Sequence, residues 1–158
     1  MTQAIRKFLA LPWAERRVLV QAMSTLPLLT LAVATLGPRR CYRSLAQLTP
    51  MADGSAPTEL NACLRASRIG TLVQIASRHG PVRGSCLVQS MAVWWLLRRH
   101  QIPAELRIGV CKRKGRLEAH AWAEFRGVVL NDDADVAERY APFSCAGGLF
   151  ETRGAEVP

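Results

Sequence analysis

Three residues in this chain have the types and the order needed for nucleophilic attack on a carbonyl: Cys86, His120 and Asp132. Cys86 follows Gly84 and Ser85 in RGSCLVQSMAVWWLLRR, where Ser85 can cap a helix whose apolar positions Val88, Ala92, Trp95 and Leu96 recur at helical spacing. A thiol in that first turn faces the positive end of the helix macrodipole and several unsatisfied amides, which favour the thiolate. For a lone cysteine the plain alternative is a small apolar filler. A downstream histidine on a strand changes the balance.

His120 lies in EAHAWAEF, where alternation puts His120, Trp122 and Glu124 on one face and Ala119, Ala121, Ala123 and Phe125 on the other. The small face is expected to pack inward, against a helix. The next strand ends in Asn131-Asp132-Asp133, and a three-residue loop Phe125-Arg126-Gly127 would set Asp132 across from His120. A two-residue loop would bring Asp133 there instead. Asp132 is preferred, giving Cys86 as nucleophile, His120 as general base and then acid, and Asp132 as the group that orients the imidazole. The Cys86 backbone N–H is the natural oxyanion donor, with a second expected from the loop 81–85, which includes Ser85. Trp122, with Trp94 and Trp95, could wall a peptide groove, although aromatic residues at these spacings commonly serve the core.

The elements that must position these groups follow from periodicity and stop signals. Apolar spacing predicts helices over 14–36, 39–48 and 59–78, the last closed by His79-Gly80-Pro81. Strands are expected at 104–110, 118–125 and 128–132, with a basic turn at Lys114 and Gly115. The stretch 49–58, TPMADGSAPT, reads as a linker between a helical, apolar and basic segment 1–48 and a domain 59–158. The expected class is α+β, a helix packed on a small antiparallel sheet in the transglutaminase-like or papain-like manner, preceded by the helical segment.

Composition narrows the function classes. The chain has 158 residues, 49% of them hydrophobic, which describes one ordinary globular domain. Lys and Arg total 21 against 12 acidic residues, a formal charge of +9. Such a surface attracts anions, but the basic residues stand in scattered pairs without interleaved aromatics, so nucleic acid is not the expected partner. The five cysteines are odd in number and dispersed, with no C-x-x-C pair, so neither a metal nor a disulfide framework is expected, and no cofactor. Reduced thiols fit a cytoplasmic location.

The run 18–38 carries no charge and is flanked by Arg16, Arg17, Arg39 and Arg40. Interrupting polar residues such as Gln21, Ser24 and Thr25 argue against a span, and Glu15 against a secretory signal, although Ala32-Val33-Ala34 imitates a cleavage site. The reading is helices that bury apolar faces or dock on a partner, with a peripheral membrane contact as the alternative.

Three blocks resemble the leader peptidases of lasso-peptide biosynthesis, a transglutaminase-like family: GSCLVQSMAVWWLLRRHQIPAELRIGV, AHAWAEFRGVVLND and DVAERYAPF. Together they cover about residues 82–143. The resemblance implies that Cys86 is the nucleophile, His120 the base and Asp132 the third member of a triad. Ser90 stands where the family commonly has serine, and Gln89 where it often has arginine, which makes Gln89 a candidate for substrate contact. It further implies a cysteine protease that removes the leader of a ribosomally made precursor peptide. The freed amine then goes to an ATP-using lasso cyclase that resembles asparagine synthetase. Because residues 1–58 read as apolar helices and not as a winged-helix recognition module, a separate leader-recognition protein is the expected partner, docking on the N-terminal segment. Competing readings are a transglutaminase or acyltransferase with the same Cys-His-Asp site, and a non-catalytic peptide-binding module.

Overall fold

The computed structural model describes residues 3–49 and 59–142. Four helices come first: α1 (Gln3–Ala10), α2 (Trp13–Leu36), α3 (Pro38–Leu48) and α4 (Glu59–His79). The helix α5 (Cys86–Arg99) leads into β1 (Glu105–Arg113), β2 (Arg116–Phe125) and β3 (Val128–Val129), and the short α6 (Val136–Arg139) and β4 (Ala141–Pro142) close the described chain. The strands form one sheet in the order β3-β2-β1-β4, with antiparallel pairing throughout. Helices packed on a small antiparallel sheet make this an α+β fold, as expected. The elements α1, α6 and β4 were not anticipated from the sequence, and the linker proposed at 49–58 falls, apart from Thr49, outside the described residues.

The centre of the fold is α5. Val88, Ser90, Met91, Ala92, Val93, Trp94, Leu96 and Leu97 are all buried, more than one helical face, because α2 and α4 cover one side and β2 the other. On α2 the buried residues Val18, Leu19, Ala22, Leu26 and Leu29 recur at helical spacing and join the same core as α4 and α5. At its end the Gly37 N–H donates to the Val33 carbonyl at 3.1 Å, and Pro38 opens α3, where its missing N–H costs nothing. By length and a mean hydropathy of 1.7, α2 could cross a membrane, and 28% of its most apolar window is buried within the protein. Tyr42 of α3 stacks on Trp94 of α5 at 4.5 Å.

Two turns set the sheet. Lys114 and Gly115 (φ 50° and 78°) join β1 to β2, and Arg126 and Gly127 (φ 51° and 78°) join β2 to β3. Both central residues at positive φ define the two-residue hairpin turn whose twist matches the strands. The three-residue loop expected after β2 is therefore corrected: Phe125 pairs with Val128 and Glu124 with Val129. Prolonged, that register would set Asp133 across from His120, but β3 ends after two residues and does not reach the expected position 132. The small face of β2 also differs from expectation at one end. Ala121, Ala123 and Phe125 are buried beneath α5, whereas Ala119 lies beyond it and is exposed.

Candidate active site

Cys86 is the first residue of α5, and its partly exposed thiol is free. The turn that presents it is held by Ser85, whose hydroxyl accepts the Val88 N–H at 3.4 Å, and by Gln89, whose amide donates to the Gly84 carbonyl at 2.7 Å. This is the N-cap geometry expected of serine before a helix. It leaves the first-turn amides near the sulfur available to stabilise negative charge.

His120 of β2 and Asp132 meet directly. The imidazole Nε2 lies 2.5 Å from Asp132 Oδ2, with both side chains about one-fifth exposed. The other carboxylate oxygen, Oδ1, accepts the Asp133 N–H at 2.8 Å and lies 3.5 Å from the Arg139 guanidinium. The carboxylate is thus fixed from two sides. On its flat face the imidazole stacks against Tyr140 at 4.9 Å, with the rings 28° apart. With Nε2 held by the acid, Nδ1 is the nitrogen left to exchange a proton with a neighbouring group. Among the described residues no hydrogen bond joins the Cys86 thiol to His120, so the sulfur and the imidazole are separate groups in this state.

What brings helix and strand together is a buried hydroxyl. Ser90 Oγ lies 2.7 Å from the Cys86 carbonyl and 2.9 Å from the Ala121 carbonyl, and it accepts the Asn131 amide at 2.9 Å. Asn131 in turn accepts the Ala123 N–H through Oδ1 at 2.8 Å. Its side chain stands in for the next rung of the ladder, after the Leu130 N–H has donated to the Ala123 carbonyl at 3.0 Å. Because Asn131 pairs through its side chain, the backbone turns away from the sheet and Asp132 reaches the imidazole by a route that strand register does not describe. Ser90 is fully buried and Asn131 is 8% exposed, so these bonds are made without competing water. Gly70 of α4 permits the arrangement: a Cβ there would lie 2.1 Å from the Leu130 carbonyl oxygen, a separation no side chain tolerates.

An open cleft of about 740 Å³ adjoins the pair, lined by Gln74, Ser77, Arg78, Arg83, Gly84, Gln89, Asn131, Asp132 and Asp133. Of the residues expected to meet substrate, Gln89 faces this cleft and Ser85 caps the helix at its edge. Trp122 is a correction. It is fully buried, its ring would touch a Cβ at Gly109, and its indole N–H donates to Glu124 at 2.6 Å. The outer face of β2 is covered because β4 pairs with β1 and brings Tyr140 over Gly109, so Trp122 serves packing and not a groove wall. Trp94 is likewise in the core, and Trp95 is half-buried beside α2 and α3.

Sequence reasoning missed the bracing by Arg139 and the bond from Asn131 to Ser90, for which the signals were the place of Asn131 immediately before the acid and the family's serine at Ser90. Tyr140, in RYAPF, was open to two sequence readings, closing the edge of the active site or plain C-terminal packing, and its ring stacks on His120. Among the described residues no group of three or more His, Cys, Asp or Glu side chains could hold a metal ion.

Comparison with known proteins agrees with this geometry at the level of family. No curated protein and no solved structure matches the chain. The family model described as the transglutaminase-like superfamily matches residues 13–145, which takes in α2 and α3 as well as the helix and strands that carry the site. Matched over most of its length, with a cysteine opening the central helix and, on the sheet beside it, a histidine held by an aspartate of the following loop, the chain belongs to the transglutaminase-like superfamily.

Proposed function

We propose that the protein is a cysteine peptidase that removes the leader from a ribosomally synthesised lasso-peptide precursor. The observation that carries the reading is His120 of β2 paired with Asp132 from the loop after β3, on a strand tied through Ser90 to the helix turn that presents Cys86. In this reading His120 takes the thiol proton, and the thiolate attacks the scissile carbonyl. The oxyanion is met by the Cys86 N–H and a donor from the loop 81–85. The C–N bond breaks as His120 returns the proton to the leaving amine, and water then releases the acyl group from sulfur. Asp132 holds the imidazole in the orientation both proton transfers need. No cofactor takes part. Superfamily membership supports cysteine-based acyl chemistry, and the lasso-specific part of the reading rests on the sequence blocks around Cys86, His120 and Asp132.

The proposed partners are a separate leader-recognition protein, which would deliver the precursor, and a cyclase resembling asparagine synthetase, which would consume the freed amine. The proposed setting is the cytoplasm, with α2 and α3 as the face for the delivering partner or a membrane surface. Acyl transfer to an amine is the second reading, because an acyl-enzyme can be released by either nucleophile. Incubating a lasso precursor with the protein, with and without the leader-binding partner, decides by product mass. Hydrolysis yields core plus leader with one water added. Transfer yields an amine adduct, and an intact precursor under both conditions contradicts the proposal.

A further inference from the structure

Charge around the cleft is divided unequally. Its two acids, Asp132 and Asp133, are both already served by Arg139, which lies 3.5 Å from the first and 3.2 Å from the second and also reaches Asp135 at 3.3 Å. Arg78, in the last turn of α4, and Arg83, in the loop before α5, line the same cleft and are exposed. Neither makes an ion pair with an acid among the described residues. The other described ion pairs lie elsewhere, Glu15 with Arg68, Glu105 and Glu124 with Arg107, and Glu118 with Arg113. Two guanidinium groups therefore line an open, largely polar cleft with no carboxylate of their own among the described residues.

We infer that Arg78 and Arg83 form a subsite for a carboxylate on the substrate, so that the cleft selects peptides with an acidic residue close to the bond attacked by Cys86. Guanidinium groups bind carboxylates through paired, charge-assisted hydrogen bonds, and two of them can enclose one acid. Closeness to the bond follows from the chain: Arg83 precedes Cys86 by three residues, and the Gly84 and Gln89 that frame the cysteine turn belong to the same cleft. An extended peptide advances about 3.3 Å per residue. A carboxylate held there belongs to a residue within a few positions of the scissile carbonyl. The inference rests on the peptidase reading for its reaction, while the carboxylate subsite rests on the arginines alone.

Binding is measured with the full-length Cys86→Ala variant and two fluorescein-labelled pools of short peptides that differ at one position alone, Glu in one pool and Gln in the other, with no further acidic or basic side chain. The Glu pool binds about tenfold tighter, the scale of a charge-assisted pair at a partly exposed site. Adding Arg78→Gln with Arg83→Gln removes most of that preference. The same charge change made on α3, Arg39→Gln with Arg40→Gln, leaves it in place, which separates a local subsite from the field of a +9 protein. Thermal unfolding of each variant shows that the fold is retained. Equal binding of the two pools, no measurable binding of either, or equal loss in both arginine pairs overturns the subsite. Precursor cleavage by the wild-type chain is read separately. Acid preference without cleavage removes the peptidase reading and leaves the subsite standing, and cleavage without preference does the reverse.

Discussion

Ser90→Ala is the perturbation with the most closely defined cost. The hydroxyl lies between the Cys86 and Ala121 carbonyls and accepts from Asn131, in a place with no exposure to solvent. Its removal leaves the Asn131 amide without that acceptor and the Ala121 carbonyl without that donor. Two buried groups left short cost about 2–3 kcal/mol together, since each unsatisfied group carries its desolvation penalty. Asn131→Ala costs a similar amount, because the Ala123 N–H loses its acceptor as well. The two changes share the 2.9 Å bond between Ser90 and Asn131, so the double variant is more stable than additivity predicts by about 1 kcal/mol. Urea unfolding of the wild type, both single variants and the double variant gives this coupling directly. With the helix turn no longer tied to β2, Ser90→Ala is also expected to lower kcat about tenfold with KM little changed, as misplaced reacting groups do. A stability change under about 0.5 kcal/mol for Ser90→Ala, or strict additivity, would refute the account of how the site is held together.

Gly70→Ala places a methyl group against the Leu130 carbonyl, so the protein is expected to lose at least about 3 kcal/mol or to fail to express in soluble form, as measured by thermal unfolding. Arg126→Asn is expected to stabilise by about 0.5 kcal/mol, because asparagine accepts the positive φ of this turn more readily than arginine does. His100 is held below its ordinary range by burial first, and then by the charges of Arg65, Arg99 and Arg17. The unfolded chain therefore binds its proton more readily, and stability contributed by the neutral ring is present above pH of about 6.5 and falls as pH drops below it. His100→Gln should flatten that part of the stability profile; an unchanged slope would argue against a role for this histidine. Asp132→Asn is expected to reduce turnover by about a hundredfold or more through loss of imidazole orientation, in kinetics with a cleaved precursor.

Much of the fold was legible because its signals are local. Ser85 before an apolar run gave the start of α5 at Cys86, and the Gly-Pro stop after His79 gave the end of α4 within a residue. Pairing of β1 with β2 followed from alternation and the Lys114-Gly115 turn. What escaped depends on non-local or backbone terms. The loop Phe125-Arg126-Gly127 was expected to hold three residues, but Arg126 takes positive φ beside Gly127 in a two-residue turn, where the twist of the hairpin overrides the preference of an arginine. Trp122 was left between a groove wall and the core because α6 and β4, too short to show periodicity, did not reveal the strand pairing that covers it. The preference for Asp132 over Asp133 rested on a register the strands do not adopt. The carboxylate nonetheless reaches His120, because Asn131 exchanges a backbone bond for a side-chain bond and turns the chain. Alternation along a strand carries no trace of such an exchange.

The central claim is that the Cys86 thiol works as a nucleophile served by His120, and its alkylation by iodoacetamide tests this without any substrate. Mass spectrometry of peptides follows modification at Cys86, Cys63 and Cys111 against time at neutral pH, in the wild type and in His120→Ala. The account predicts that Cys86 reacts faster than the other two partly exposed cysteines and that the advantage disappears in His120→Ala. Modification of Cys86 no faster than that of Cys63 and Cys111, or at a rate unchanged by loss of the imidazole, would contradict it.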